Sequence, residues 1–304
     1  MDGNNQILPI AFGIGKTESR ESWTWFLSRL KECFGDMPYL AIISDRANSI
    51  EMDIQAMFPN AYHRFYCHHL LMNMRTKIRK QQRMEILFWE AAKAYREFDF
   101  KESLSRLRRA LNDDCQRIGN ERWSRSCFPM VRYNIMTSKS VESVNALSRD
   151  SRKLLITMLI DFFRATMLQW GCQRHNVGAE SKKDVIEYAE KGIDRRINKS
   201  SGFRVYQIHQ RRYEVSDQMK NGIVNLESRH CTCEKWQLSG IPCTHAMTVF
   251  KELRYQHYNA WVSSYFTMET YHSTYAGLVF PVPVPTKYEE QNEFMVVFPL
   301  LMDE

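Results

Sequence analysis

The chain has 304 residues, 44% of them hydrophobic, with Lys+Arg 42 against Asp+Glu 35 and a formal net charge of +7. That composition excludes a disordered chain, and the length allows about two domains. The positive balance suits an anionic partner without identifying one.

In chain order, Gln6 to Gly15 (QILPIAFGIG) reads as a strand, with Pro9 placing it at an edge or in a hairpin. Trp23, Phe26, Leu27, Leu30 and Phe34 fall at helical spacing, with Thr17 or Ser19 as cap and Gly35 as stop. Tyr39 to Ser44 is nearly all apolar, the pattern of a strand covered on both faces, and it ends in Asp45. A short helix over 49–57 and a strand over 61–66 follow, which is α/β grammar. From Met74 to about Arg125 the pattern is helical. Met84, Leu87, Phe88, Ala91, Tyr95 and Phe98 mark one face, and Leu104, Leu107 and Leu111 another. A further helix is predicted over 140–170, with Leu155, Met158, Leu159, Phe162 and Ala165 on its apolar side. Residues 176–202 are charged and read as a linker or solvated helix. Strand-like pieces at 203–208, 213–215 and 223–226 lead into a cysteine cluster. The stretch 256–304 is aromatic, then Pro-rich, and reads as a tail.

No apolar run approaches the ~18 residues of a membrane span. The start, Met1 to Gln6, has neither a charged n-region nor an apolar h-region, so no secretory signal is expected. The eight cysteines are then expected as reduced thiols or metal ligands in a soluble intracellular protein, not as a disulfide framework.

The strongest chemical signal is Cys231-Thr232-Cys233 followed, nine residues on, by Cys243-Thr244-His245. Four N/S donors complete the tetrahedron of a structural zinc site with no open position. Residues i and i+2 point to opposite faces of a strand and lie ~200° apart on a helix. The first pair must therefore sit where a strand turns. The second must sit where a loop enters a helix, with Cys243 outside and His245 in the first turn; Gly240 and Pro242 break the chain just before it.

This segment, RHCTCEKWQLSGIPCTHAMTVF, resembles the SWIM zinc finger, with all four ligand positions matched. The resemblance implies a β-β-α unit that binds zinc and interacts with DNA or protein. The upstream motifs DGNNQILPIAFGI, ESWTWFL, IISDR, FPNAYHRFYCHHLLMNMR and the stretch around SVESVNALSRD resemble the plant Mutator-like element transposases. That resemblance implies an α/β plus α chain. Residues 1–175 would form a partial RNase H-like domain with a helical insertion at about 76–135, followed by the 176–202 linker. A small SWIM finger would occupy 203–255, and the tail 256–304.

The family's chemistry is DNA strand transfer by an Asp-Asp-Glu triad holding two divalent ions, such as Mg²⁺. Asp45 matches the second aspartate and Glu142 the glutamate. The strand that bears the first aspartate is not represented, and Asp2 falls in a turn instead. The expectation is a catalytically inactive, zinc-binding protein. The alternative is an active transposase whose missing strand is supplied by the full gene or another chain. With strands missing, the sheet edge is expected to offer a self-association surface. Cys67-His68-His69 departs from the family's Cys-x-x-His, and packing at a strand-to-helix junction is the reading favoured there. Arg75, Lys77, Arg79, Lys80 and Arg83 form an acid-free basic stretch. It suits non-specific phosphate contacts or a nuclear-import patch, and the nucleus is the expected location.

Overall fold

The computed structural model describes residues 1–17, 19–44, 48–75, 81–111, 119–128, 146–147, 149, 151, 155–217 and 220–277. The first helix, α1 (Arg20–Phe34), starts where Ser19 caps it, its Oγ accepting from the Ser22 N–H at 3.2 Å. It stops at Gly35, whose φ of 63° suits a residue without a Cβ. Strand β1 (Ala41–Ser44), helix α2 (Asn48–Met57) and strand β2 (Tyr62–Phe65) form a β-α-β unit, the strands parallel with Ala41 opposite Tyr62 and Ser44 opposite Phe65. Leu27 of α1 and Ile50, Ile54 and Phe58 form a small core beside this pair. The β1 strand is not covered on both faces: Ala41 is exposed and Ile42, Ile43 and Ser44 are half-buried.

Residues 6–15 are not a strand. A ladder needs a neighbour, and this segment finds side chains instead: Arg174 Nη1 donates to the Ile7 carbonyl at 2.5 Å and Phe12 stacks on Phe163. Among the described residues the sheet consists of β1 and β2, and this segment is not part of it.

Helices α3 (Cys67–Arg75), α4 (Gln81–Lys93) and α5 (Glu97–Leu111) share a second core with Phe65 and Trp123. Met84, Leu87, Phe88 and Ala91 are buried as their spacing requires, whereas Phe98 is 73% exposed, because the helix that would have carried it inward ends at Lys93. Trp123 stacks on Phe88 with centroids 5.4 Å apart. Cys67 is fully buried here, its thiol donating to the Trp123 carbonyl at 3.3 Å, while His69 faces solvent. At this junction Cys67 packs in the core and His69 lies on the surface. Arg64 is also buried, its Nη2 donating to the Glu121 and Ser124 carbonyls and its guanidinium 3.5 Å from the Phe128 ring centroid.

Helix α6 (Ile156–Glu180) lies later in the chain than the sequence suggested, and its expected apolar side is not buried: Leu155 is 72% and Met158 50% exposed. The supposed linker is helix α7 (Glu187–Lys199). Ile186 at its N-cap and its own Ala189, Ile193 and Ile197 recur every three or four positions, enough to bury one narrow face. That face meets an antiparallel sheet of β3 (Arg204–His209), β4 (Arg212–Ser216), β5 (Gly222–Asn225) and β6 (His230–Cys231) in that order, with α8 (Lys235–Ser239) and α9 (Thr244–Glu252).

The aromatic part of the supposed tail belongs to the same core. Trp261, Phe266, Tyr271 and Tyr275, the last two on or beside α10 (Met268–Thr274), pack with Trp236 and Phe250. The Pro-rich 278–304 lies outside the described residues. The first residues close this unit from the other end of the chain. Asp2 is buried and accepts from the Gln6 N–H at 2.8 Å and the Tyr275 hydroxyl at 2.7 Å, and Asn4 Oδ1 accepts from the Tyr188 N–H. The protein is therefore a mixed helix-and-sheet chain whose small antiparallel sheet stands beside the cysteine cluster.

Candidate metal centre

Two changes of direction bring the cluster together. Strand β6 ends at Cys231 and the chain turns, with Glu234 in the left-handed region at φ 58° and its N–H on the Cys231 carbonyl at 2.9 Å. Thr232 keeps the turn attached to β5 by exchanging bonds with Ile223: its N–H donates to that carbonyl, and its Oγ1 accepts from that N–H. Cys233 therefore points back toward Cys231. The second change of direction is at Gly240, φ 70°, before Ile241 and Pro242. Cys243 then caps α9, its Sγ accepting from the Ala246 N–H at 3.4 Å, and His245 lies in the first turn. Strand end and helix entry are the two places the i, i+2 spacing demanded.

The Sγ atoms of Cys231, Cys233 and Cys243 and a ring nitrogen of His245 all lie within 4.8 Å of one another. In a zinc tetrahedron with Zn–S near 2.3 Å the donors stand about 3.8 Å apart. The four atoms thus need to close by less than the length of one bond to hold an ion. Cys231, Cys243 and His245 are buried and Cys233 half-buried.

His245 Nδ1 is the nitrogen that faces the thiols, 3.5 Å from Cys231 Sγ, while Nε2 is 3.4 Å from Asp217 Oδ2. A carboxylate behind the distal nitrogen fixes the tautomer that leaves Nδ1 free to donate its lone pair. Gly222 on β5 makes room for that ring: a Cβ there would stand 2.5 Å from His245 Nδ1. Arg196 of α7 holds the loop before Cys243, donating through Nη1 to the Ile241 carbonyl and, at 2.9 Å, to that of Pro242, and through Nη2 to Ser239 Oγ.

Three of the four groups interact strongly with their neighbours in the cluster. Hydrogen bonds to Cys233 and Cys243, together with burial, push the Cys231 thiol well up. Bonds from Cys231 and Cys243 hold the Cys233 thiolate well down, against its burial. Burial disfavours the His245 imidazolium, yet its bonds to Cys233 and Cys243 outweigh this and raise it to about 10. Binding a divalent ion to thiol ligands releases their protons, so affinity at such a cluster depends on pH.

Asp217, Gly222 and Arg196 carry no signal in the sequence, since nothing in their spacing ties them to the cysteines. The other predicted sites fare differently. Asp45, Glu142, Lys77, Arg79 and Lys80 lie outside the described residues. Arg75 is paired with Glu85, and Arg83 is exposed. Among the described residues, the only group of three or more His, Cys, Asp or Glu placed to share an ion is the Cys/His set. None of the described helices is long and apolar enough to cross a membrane.

Two family models match the chain. The MULE transposase domain matches residues 1–73, which run from the Asp2 turn into α3. The SWIM zinc finger matches residues 218–253, which include all four clustered donors. No curated protein and no solved structure matches.

Proposed function

We propose that this protein is a Mutator-like transposase relative in which Cys231, Cys233, Cys243 and His245 bind one structural Zn²⁺. In this reading the chain works by contacting DNA or protein, not by cutting DNA. The observation that carries the zinc reading is the mutual approach of four N/S donors within 4.8 Å, on the segment that matches the SWIM finger. Three thiolates and one imidazole are soft, closed ligands, the set for a structural site that leaves no position for a substrate.

The inactive reading carries over from the family pattern, in which Asp45 and Glu142 match two of the three carboxylates and Asp2 does not match the third; Asp2 serves as a structural anchor, accepting from Gln6 and Tyr275. A two-ion strand-transfer site needs several carboxylates on one rigid frame. A nuclear location and non-specific phosphate contacts follow from the same family reading and from the basic residues around Arg75 and Arg83.

Metal analysis of the purified chain, joined to a cleavage assay on terminal-repeat DNA with Mg²⁺ or Mn²⁺, tests both halves. One zinc per chain and no cleavage are expected. Cleavage that vanishes in Asp45→Ala would return the protein to the active transposases.

A further inference from the structure

A cavity of about 400 Å³ opens between the α4–α5 corner and the cysteine unit, and the outer side of the cluster itself (Cys233, Cys243, Thr244 and His245) forms part of its wall. Five cationic side chains line it: Lys93, Arg96, Lys199, Lys220 and Lys235. Three acids line it too, and each is already engaged. Asp99 accepts from Arg96 at 2.9 Å and from Lys220 at 2.8 Å, Asp217 faces His245, and Glu90 reaches Arg106 outside the cavity. Lys93, Lys199 and Lys235 have no carboxylate partner among the described residues.

These three charges are gathered from three separate elements, the ends of α4 and α7 and the start of α8, so they are not one solvated helix face. Lys235 is half-buried, with Nζ 5.7 Å from the Tyr95 ring centroid, and Arg196 and Lys199 both repel it. Three thiolates around a zinc dication leave one net negative charge, which offsets one of the three ammonium groups. About two positive charges remain uncompensated in a concave site.

The cavity also holds aromatic surface. Tyr95 already carries the Arg125 guanidinium 4.4 Å from its centroid, but Phe203 is half-buried, with the His245 ring 6.0 Å away. Uncompensated lysines beside an available ring match a phosphodiester with a splayed base, the chemistry by which single strands are held without sequence preference.

We infer that this cleft binds single-stranded nucleic acid, with backbone phosphates on Lys93, Lys199 and Lys235 and a base against Phe203. The inference deepens the proposed function and rests on it, since zinc is what holds the Cys233–His245 wall in place. A duplex is a poorer fit, because its bases are stacked away from Phe203.

The experiment is a fluorescence-anisotropy titration of the full zinc-loaded chain with a labelled thymidine oligomer, over a series of salt concentrations, with zinc measured in each sample. Three phosphate contacts predict a slope of log affinity against log salt of about −2. Lys93→Glu and Lys199→Glu should each weaken binding at least tenfold and flatten the slope by about 0.7. Phe203→Leu should weaken binding about fivefold with the slope unchanged. Lys182→Glu, the same charge change on an exposed residue away from the cavity, should stay within twofold.

Several results would overturn the assignment. They are an equal loss in Lys182→Glu, equal affinity for a duplex of the same length, or displacement of the oligomer by polyglutamate at equal charge. A chain with one zinc and no oligomer binding contradicts the cleft alone. A chain without zinc contradicts the zinc reading and the cleft together.

Discussion

Gly222 and the His245 ring are in direct contact: a Cβ placed on Gly222 would stand 2.5 Å from Nδ1 and 2.8 Å from the two ring carbons beside it. The atom that would be struck is the one offered to the metal. Gly222 lies in strand β5 opposite Val215, without a positive φ, so it is there for space and not for backbone freedom. Gly222→Ala should tilt the ring away from the thiols and lower zinc affinity at least tenfold. Competition with a chromophoric chelator measures this, and unchanged affinity would show that the ring does not ligate through Nδ1.

Asp217 acts one step further out. Its carboxylate stands 3.4 Å from His245 Nε2 and holds the proton there. Carboxylates in this position are worth 10–100-fold in metal affinity. Asp217→Asn keeps a hydrogen-bond acceptor but loses the charge, so it should fall near tenfold, and Asp217→Ala further. Equal affinities for the two variants would argue against the orienting role.

Arg196 ties α7 to the loop that delivers Cys243. Removing its guanidinium leaves the Ile241 and Pro242 carbonyls and the Ser239 hydroxyl with fewer donors. Bonds of this type to a charged group contribute ~1.5–3 kcal/mol each, though not additively. Arg196→Met should therefore destabilise the zinc-bound unit by about 3 kcal/mol, read as a shift in its thermal unfolding.

One pH dependence comes from His63 instead of the metal site. Burial lowers its pKa below the ordinary 6.5, Glu51 raising it and Arg122 lowering it further, and Nε2 lies 2.9 Å from Ser44 Oγ. In the folded state the ring stays neutral at a pH where the unfolded chain would take up a proton. Its contribution is thus fully present above about 6.5 and is lost as pH falls toward the folded value. His63→Gln should flatten the stability profile of the α1–β2 region below pH 6.5. Persistence of the slope would place it on another group.

Chelation should reach further than a finger confined to 203–255 would suggest. The core that surrounds the cluster runs from Val185 to Tyr275, with Leu8 packed against it and Asp2 bonded to Tyr275. Hydrogen exchange after zinc removal should show loss of protection across 185–275 together with release of the first residues, while α4 and α5 keep theirs. Loss confined to 222–252 would show that the core stands without the metal.

The sequence announced the four donors because two Cys-x-Cys/His pairs cannot chelate from a regular strand or helix, and the breaks at Gly240 and Pro242 supply the turn they need. It also marked α1, the β1–α2–β2 unit and the faces of α4 and α5, where apolar spacing is dense. It misled where spacing is sparse or a partner decides. In α7 four small or aliphatic residues carry a whole packing face. In 6–15 an apolar run lacks a neighbouring strand and lies on side chains instead. The aromatic residues after 255 look like a tail until Trp261 is seen against Trp236 and Phe250. Gly222, Asp217 and Arg196 were invisible because proximity to the cluster is created only by the fold.

The most direct measurement is elemental analysis of the full chain, purified under reducing conditions without added chelator, beside its Cys243→Ser variant. The account predicts one zinc per chain in the first and substantially less than one in the second. A wild-type chain free of zinc, or a Cys243→Ser chain that keeps a full equivalent, would contradict it.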